Sequence, residues 1–330
     1  MATINDVARK AKVSVVTVSR LLNHPEVVNV KSAKKIYKAM DELRFQPSQI
    51  ARSLVKRRTN TLGVIIPDVK NPFFNNWFRC LEEYAIVHKF SLLLCNTDDN
   101  AEKEMRYVKL MQAQRVDGVV IVPYSKRSVE YLIGSGQKFV LVDRIFKDLE
   151  VDFVTTDHFQ GGYQATQYLI KLGHTRIGIL RGAGCIFPDV ERYSGFEKAM
   201  KENNIPIDEG LIMNCDLDEG KAYERTKEVL RRRKRPTAVF SFNGLMSSGF
   251  IQAVQEMSLS IPQYVSLLSF DEIQGHRIFR PRLTHIIQPI RSLGEFAIDM
   301  IAGMINNTNS TRQEVLLKPE LVLGDSCRRI

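Results

Sequence analysis

The sequence lacks the features that mark several classes of protein. Its 330 residues include five scattered cysteines without a C-x-x-C spacing and six histidines without an H-E-x-x-H pair, so neither a disulfide framework nor a zinc site is indicated. No apolar run approaches the roughly 20 residues of a membrane span, and the start Ala2–Asp6 has no basic segment followed by an apolar one. We expect a cytoplasmic protein that does not bind membranes.

Motifs of catalysis and cofactor binding are also missing. Gly182 and Gly184 form a pair without the third glycine of a dinucleotide fingerprint, and there is neither a P-loop nor a G-x-S-x-G elbow. A basic run over 231–235 ends a predicted helix, where the helix dipole favours positive charge, so we interpret it as a solvated cluster. We expect no cofactor, no metal and no enzymatic activity.

Positive charge, by contrast, is abundant and unevenly distributed. The chain carries a formal net charge of +10, and residues 1–60 contain 13 Lys and Arg against four acids. Affinity for DNA that does not depend on base sequence comes mainly from neutralised phosphates. The pattern predicts a basic head that binds nucleic acid, joined to a larger and nearly neutral body.

Two short helices joined by a tight turn are predicted at the N-terminus. Thr3 and Asp6 have the spacing of a capping box, and Ser14 is a suitable N-cap for a second helix over 15–22. Such a pair is the outline of a helix-turn-helix. A third amphipathic segment over 32–43 would complete a three-helix core.

The second of these helices supplies the candidate base-reading residues. In a helix-turn-helix its first turns enter the major groove, where Val15 and Val16 suit thymine methyl groups and Arg20 suits guanine. The alternative is that one or both valines belong to the small core. Phosphate contacts that position the head are assigned to Thr3, Ser14, Thr17, Asn23, Lys31, Lys34 and Lys35.

A short basic segment follows the head. Ser48 is a suitable N-cap for one helix of about nine residues, which would be marginal alone in water. We expect it to fold only when DNA and a second copy support it. Leu54, near Arg52 and Lys56, suits an apolar wedge between base steps of the minor groove. The alternative is a plain basic linker that contains one leucine.

From Thr61 onward, apolar runs alternate with amphipathic helical stretches. Runs such as 62–67, 116–122 and 265–270 are apolar on both faces, as is typical of buried parallel strands. This alternation predicts doubly wound α/β layers, and the number of strands favours two lobes. Ligands of such folds bind beyond the carboxyl ends of the strands.

Polar side chains follow several of the predicted strands. They are Asp68, Asn71, Asp143, Asn243, Asp271 and Gln288. Carboxylates and amides that converge at one edge can bridge neighbouring hydroxyl groups, as a sugar or other polyol needs. Helix capping would explain about half of such Asp and Asn residues taken singly. Their repetition favours a ligand site.

These segments together resemble the lactose repressor/galactose repressor family of transcription regulators, over essentially the whole chain. The resemblance is carried by Thr3–Ala8, Thr17–Asn23, Ala51–Leu54, Leu62–Ile65, Asn71–Phe74, Phe270–Asp271 and Gln288–Pro289. It implies a homodimer on a near-palindromic operator, with paired hinge helices that insert Leu54 into a kinked central step. It also implies a regulatory domain like a periplasmic sugar-binding protein.

The resemblance implies the domain boundaries as well. A helix-turn-helix domain is expected over 1–46, a hinge over 47–59 and an effector-binding and dimerisation domain over 60–330. In the last of these, the N-lobe is expected over about 60–159 plus 289–322 and the C-lobe over about 160–288 plus 323–330. No leucine heptads follow Cys327, so we expect a dimer rather than a tetramer.

Seven positions match the effector cleft of that family: Phe73, Phe74, Asp143, Arg192, Asn243, Asp271 and Gln288. The resemblance gives Arg192 the role of a donor to ligand oxygens. Two positions depart from the family pattern. Lys12 stands where Gly or Asn is usual in the turn, and Gly244 replaces an acid often found beside the position of Asn243.

We therefore interpret the chain as a sequence-specific DNA-binding regulator, with repression as the expected action. Its partners are operator DNA, a second copy of itself and a small-molecule effector, for which a sugar or sugar derivative is favoured over a purine or a protein co-regulator. The alternative is a solute-binding protein of a sugar transport system, in which the basic residues 1–56 would have no function. An enzyme acting on DNA is a further rival, but it lacks a nucleophile, metal or cofactor motif.

Overall fold

The computed structural model describes residues 2–45, 58–182, 184–273, 275, 280–308 and 311–330. They belong to two compact units, Met1–Thr59 and Asn60–Ile330. The first unit is helical, and the second contains two sheets flanked by helices, so the fold class predicted from the sequence is confirmed. Within the described ranges, no helix is long and apolar enough to cross a membrane.

The N-terminal unit contains α1 (Ile4–Ala11), α2 (Val15–Asn23), a 3-10 turn (Pro25–Val27) and α3 (Val30–Glu42). The capping box at Thr3 and Asp6 is present, and Ser14 caps α2. α3 begins two residues before the predicted start because the side chain of Asn29 accepts a hydrogen bond from the backbone of Lys31. The small core consists of Val7, Ala8, Ala11, Val18, Leu21, Ile36 and Ala39.

The turn between α1 and α2 depends on Lys12. This residue has φ 54° and ψ 47°, which is the left-handed conformation. A residue with a Cβ pays about 1 kcal/mol there, which explains why glycine or asparagine suits this position. The helix-turn-helix therefore forms at a local cost that the packing of Val7, Val18 and Leu21 offsets.

The first lobe of the larger unit contains a parallel sheet of six strands in the order β11-β5-β4-β3-β1-β2. The strands are β1 (Thr61–Ile66), β2 (Ser91–Asn96), β3 (Gly118–Ile121), β4 (Phe139–Val142), β5 (Phe153–Thr156) and β11 (Glu314–Leu317). Its helices are α4 (Pro72–Val87), α5 (Ala101–Ala113), α6 (Lys126–Ser135) and α11 (Ile290–Asn306). Two apolar clusters bury the strands, one of which contains α4 and α11 residues.

The second lobe repeats this arrangement in the order β12-β10-β9-β8-β6-β7. The strands are β6 (Ile177–Arg181), β7 (Ile212–Asn214), β8 (Ala238–Ser241), β9 (Ser266–Phe270), β10 (Thr284–Ile287) and β12 (Glu320–Val322). Its helices are α7 (His158–Lys171), α8 (Phe187–Glu202), α9 (Glu219–Leu230) and α10 (Gly244–Glu256), with a 3-10 turn over Glu209–Leu211. Only β12 runs antiparallel among the described pairings, where it joins β10.

The chain passes between the lobes after β5, after β10 and between β11 and β12. The expected N-lobe segment 289–322 is therefore too long, because the last crossing falls between Leu317 and Glu320. β12 is a short edge strand whose side chains are only half-buried or exposed, so it carries no apolar signal that would assign it to either sheet. The crossings bring the carboxyl ends of both parallel sheets to one cleft.

Candidate functional site

The start of α2 presents the candidate base-reading residues to solvent. Val15 and Val16 are 39% and 59% exposed, and neither belongs to the core of the head. Arg20 is also exposed, whereas Val18 and Leu21 on the opposite face are buried. The alternative assignment of the two valines to the core is therefore wrong, and their assignment to base reading stays a prediction.

The candidate phosphate contacts divide into two groups. Thr3, Ser14 and Thr17 are engaged in capping: the Thr3 hydroxyl donates to Asp6 at 2.7 Å, and the hydroxyl oxygens of Ser14 and Thr17 lie 2.8 Å apart. The lysines at 31, 34 and 35 are exposed on α3. The side chain of Asn23 and the hinge residues Ser48, Arg52, Leu54 and Lys56 lie outside the part of the chain that the structure describes.

The seven candidate effector residues all line one cavity of about 40 Å³ between the lobes. Phe73 and Phe74 open α4, and Asp143 follows β4, all in the first lobe. The second lobe and the crossing after β10 contribute the others, namely Arg192, Asn243, Asp271 and Gln288. The structure therefore brings together the seven residues that match the family's effector cleft, whereas Asp68, which also follows a strand, does not line this cavity.

Arg192 is the central cation of the cleft. It lies on α8 and is only 6% exposed. Its Nη1 donates to the backbone oxygen of Phe242, and its guanidinium lies over the ring of Phe270, with Cζ 3.5 Å from the ring centroid. A planar donor group held by an aromatic face and a carbonyl is preorganised for a ligand oxygen.

Asp143 approaches Arg192 from the opposite lobe. Its Oδ1 lies 3.2 Å from Nε2 of the buried His158, whose Nδ1 in turn lies 3.2 Å from Nη2 of Arg192. Burial alone would raise the pKa of Asp143, but contact with His158 and the charges of Arg192 and Arg144 outweigh it and hold that pKa below its usual value. Asp143 therefore remains an acceptor that suits a ligand hydroxyl.

Asp271 is the second carboxylate of the cleft. Nε2 of Gln288 donates to both of its oxygens, at 2.9 and 3.1 Å, while Oε1 of Gln288 accepts from the hydroxyl of Thr156 at 2.7 Å. Burial raises the pKa of Asp271 to about 6. Asp271 and Asp143 both have positive φ, 67° and 63°, and such strained backbone clusters at ligand sites.

The aromatic and amide residues complete the lining. The rings of Phe73 and Phe74 pack edge to face with centroids 5.0 Å apart. The side-chain oxygen of Asn243 caps α10 by accepting from the backbone of Met246 at 2.7 Å, so the capping explanation holds for this residue even though it also lines the cleft. Asn71 likewise caps α4 and lines the cleft.

Sequence reasoning did not single out several residues of the site. Arg144 is 4% exposed and pairs with Asp99, and Asp189 holds Arg181 through hydrogen bonds of 2.6 and 3.0 Å. Asp189 and Arg192 are three residues apart on α8, and Arg144 directly follows a strand-end aspartate. That helical spacing and that strand-end position are the signals that would have found them. His158 offered no comparable signal beyond following the N-cap of α7.

The structure also explains one departure from the family pattern. A Cβ built on Gly244 would lie 2.3 Å from the backbone oxygen of Glu272. No side chain fits at that distance without a shift of the backbone, so an acid is excluded at this position here.

Comparison with known proteins gives the family. Residues 59–323 match the model for periplasmic binding proteins and the sugar binding domain of the LacI family, and residues 3–48 match the model for bacterial regulatory proteins of the lacI family. The HTH-type transcriptional repressor PurR of Actinobacillus pleuropneumoniae serotype 5b (strain L20) is 36% identical over 334 residues, which cover 100% of this chain and 99% of that protein. PurR of Vibrio vulnificus (strain CMCP6) is 34% identical over 339 residues and covers 100% of both.

Solved structures of regulators have the same fold as this chain. The lac repressor dimer bound to operator and the anti-inducer ONPF shares the fold, with a TM-score of 0.89 at 23% identity over 99% of both chains. A LacI family regulator from Enterococcus faecium with bound ribose has a TM-score of 0.74 at 28% identity, over 82% of this chain and 99% of that one. The match of the head to a regulatory model decides against a transport protein, and the family is not enzymatic, as expected from the motifs. The chain belongs to the LacI family and is a DNA-binding transcriptional repressor with an effector domain.

Proposed function

We propose that this repressor acts as a homodimer whose affinity for a specific operator is controlled by a sugar or sugar derivative bound between the lobes. The observation that carries the proposal is the convergence of Asp143 from one lobe with Arg192 and Asp271 from the other, beside the aromatic pair of α4. Carboxylates, a guanidinium and amides around an apolar face match the hydroxyl groups and ring face of a sugar.

The charge balance of the cleft favours a neutral ligand. Asp143 and Asp271 oppose the buried cation Arg192, while Arg144 is already paired with Asp99 and Asp189 is paired with Arg181. An anionic ligand would add negative charge next to two buried carboxylates, which is costly in a site shielded from water. Hydroxyl groups can donate to the carboxylates and accept from Arg192 without changing the net charge.

A related solved structure supports the same class of ligand. The Enterococcus faecium regulator, which is 28% identical to this chain, contains bound ribose. Purine bases are the competing class. Their ring N–H groups can likewise donate to the carboxylates, and their carbonyl oxygen and ring nitrogens can accept from Arg192, so the ligand panel has to separate the two classes.

The proposed mechanism is a shift between populations of the effector domain. A ligand that contacts both lobes stabilises their closed arrangement, and the hinge helices of two copies then pair or separate. Base reading by Val15, Val16 and Arg20 and wedging by Leu54 belong to this proposal. A coupling of about 3 kcal/mol would change operator affinity by about 150-fold.

Two linked experiments test the proposal. Selection from random duplexes with the full-length protein identifies the operator, and competition at two salt concentrations separates specific from nonspecific binding. A thermal-shift panel of D-ribose, D-glucose, D-galactose, cellobiose, hypoxanthine and guanine then identifies compounds that stabilise the protein. We expect a sugar to raise Tm and to change operator affinity. A response to the purine bases alone would reject the sugar, and enrichment of no duplex would reject operator binding altogether.

A further inference from the structure

His158 occupies the junction of the two lobes and carries no role in the function described so far. It is the first residue of α7, where the chain enters the second lobe, and it is 1% exposed. Its ring centroid lies 5.7 Å from that of Phe270 and 6.0 Å from that of Phe187. Both ring nitrogens therefore point into a region where water does not reach them.

The surroundings of the ring fix its tautomer. Nη2 and Nε of Arg192 lie 3.2 and 3.4 Å from Nδ1 of His158. A guanidinium has only donors, so Nδ1 must be the acceptor and the ring proton must be on Nε2. Nε2 lies 3.2 Å from Oδ1 of Asp143, which is an acceptor. One neutral imidazole thus faces a donor on one side and an acceptor on the other.

The contact with Asp143 is close but incomplete. Neither Nε2 of His158 nor Oδ1 of Asp143 has a regular hydrogen-bond partner among the described residues, although both atoms are buried. Leaving both atoms unsatisfied costs stability, so an adjustment that completes the hydrogen bond between them is favourable. The ring therefore lies in position to hold both Asp143 and Arg192.

Charged groups from both lobes surround this ring. Asp143 contacts it from the first lobe and Arg192 from the second, and Arg144, Asp189 and Asp271 interact in turn with those two residues. Burial and the charge of Arg192 lower the pKa of His158 in spite of Asp143, and a second ring proton would point at the guanidinium. The charged imidazolium is thus disfavoured on geometric and electrostatic grounds alike.

We propose that His158 is a positioning residue of the effector cleft: as a neutral, Nε2-protonated imidazole it holds Asp143 of the first lobe and Arg192 of the second in the geometry that receives the ligand. This inference rests on the proposed role of the cleft. His158 itself does not line the cavity, whereas both of its partners do, so it would act on the ligand only through them.

The first arm of the test needs no ligand. The full-length protein is labelled with nitrogen-15 histidine, and the His158 signals are assigned as those missing from His158→Asn. We expect an unprotonated Nδ1 and a protonated Nε2 at about pH 7.5. A proton on Nδ1 would overturn the proposal, because Arg192 could then not be donating to the ring.

The second arm measures binding of the sugar that raises Tm most in the panel of D-ribose, D-glucose, D-galactose and cellobiose. His158→Phe keeps a ring but removes both polar atoms, and we expect affinity to fall by about tenfold or more. His158→Asn retains one acceptor and one donor, so affinity should remain within about threefold of the parent protein. The control is His174→Phe, because His174 is buried in the same lobe and bonds Thr237 and Arg328 away from the cleft. It should lower stability and leave affinity unchanged.

The outcomes distinguish the positioning role of His158 from the proposed binding of a sugar in the cleft. Parental affinity in His158→Phe overturns the positioning role while the sugar cleft stands, as does an equal loss in His158→Phe and His174→Phe. If no sugar binds the parent protein, the proposed effector class fails, and the nitrogen signals still decide whether His158 bridges Asp143 and Arg192.

Discussion

Replacing Asp271 by Asn should change how the stability of this protein depends on pH. Burial raises the pKa of Asp271 to about 6, although Arg192, Gln288 and His285 oppose the rise. In the unfolded chain the carboxyl returns to a value of about 3.8. Between these two values the folded state binds more protons than the unfolded state, so this group makes folding more favourable as the pH falls.

The size of the effect follows from the two pKa values. At about pH 7.5 Asp271 is ionised in both states, whereas at about pH 4.5 it is protonated mainly in the folded state. The free energy of unfolding of the parent protein, relative to that of Asp271→Asn, should therefore rise by about 2 kcal/mol as the pH is lowered from about 7.5 to about 4.5. Comparing the two proteins at each pH cancels the titration of carboxylates that they share.

Urea unfolding at a fixed protein concentration provides the measurement. Trp77 is the only tryptophan and is fully buried in the first lobe, so its fluorescence follows that lobe, and circular dichroism follows both lobes. Coincident transitions would justify a single free energy for the effector unit. The control Glu224→Gln removes an exposed carboxylate of the second lobe. A difference between the parent protein and Asp271→Asn that stays constant within about 0.5 kcal/mol across this pH range would refute the reasoning about Asp271.

Three further substitutions test other parts of the molecule. Lys12→Asn should raise the stability of the head by up to about 1 kcal/mol, as seen in its thermal unfolding, because asparagine tolerates the left-handed turn; no gain would exclude strain at Lys12. Leu54→Ala should weaken binding to the selected operator and spare nonspecific binding at low salt, and equal losses in gel-shift titrations would reject the wedge. Arg192→Ala should abolish the thermal response to the panel sugar while the protein stays dimeric by light scattering; a retained response would remove Arg192 from the site.

The sequence predicts the elements that are buried on both faces and misses those that are not. The runs 62–67 and 265–270 contain no polar residue at their centres except serine, and they became β1 and β9. β7, β11 and β12 are strands of three or four residues with partly exposed side chains, so they lack a recognisable period. α11 carries a regular polar face, with Arg291, Glu295 and Asp299 at intervals of four residues, so its amphipathic period could have been recognised from the sequence.

The effector cleft could be predicted only in part, for a different reason. Asp143, Asp271 and Gln288 follow strands, and the carboxyl ends of parallel strands meet at one edge, so topology alone brings them together. Arg192 and His158 are helical residues whose type indicates exposure as readily as burial, and their position depends on how α7 and α8 pack against each other. Family resemblance supplied Arg192, and only three-dimensional contacts reveal His158.

The polar groups of the cleft belong to different lobes, and this division restricts which compounds can act as effectors. A ligand shifts an equilibrium only by the difference between its affinities for the two states. Asp143 lies in the first lobe and Asp271 in the second, so a compound that reaches both binds the closed arrangement more tightly than an open one. A compound that contacts a single lobe gains nothing from closure, and it would raise Tm without changing operator affinity. Binding and regulation should therefore separate within one series of candidate ligands, according to whether each member spans the distance between the two carboxylates.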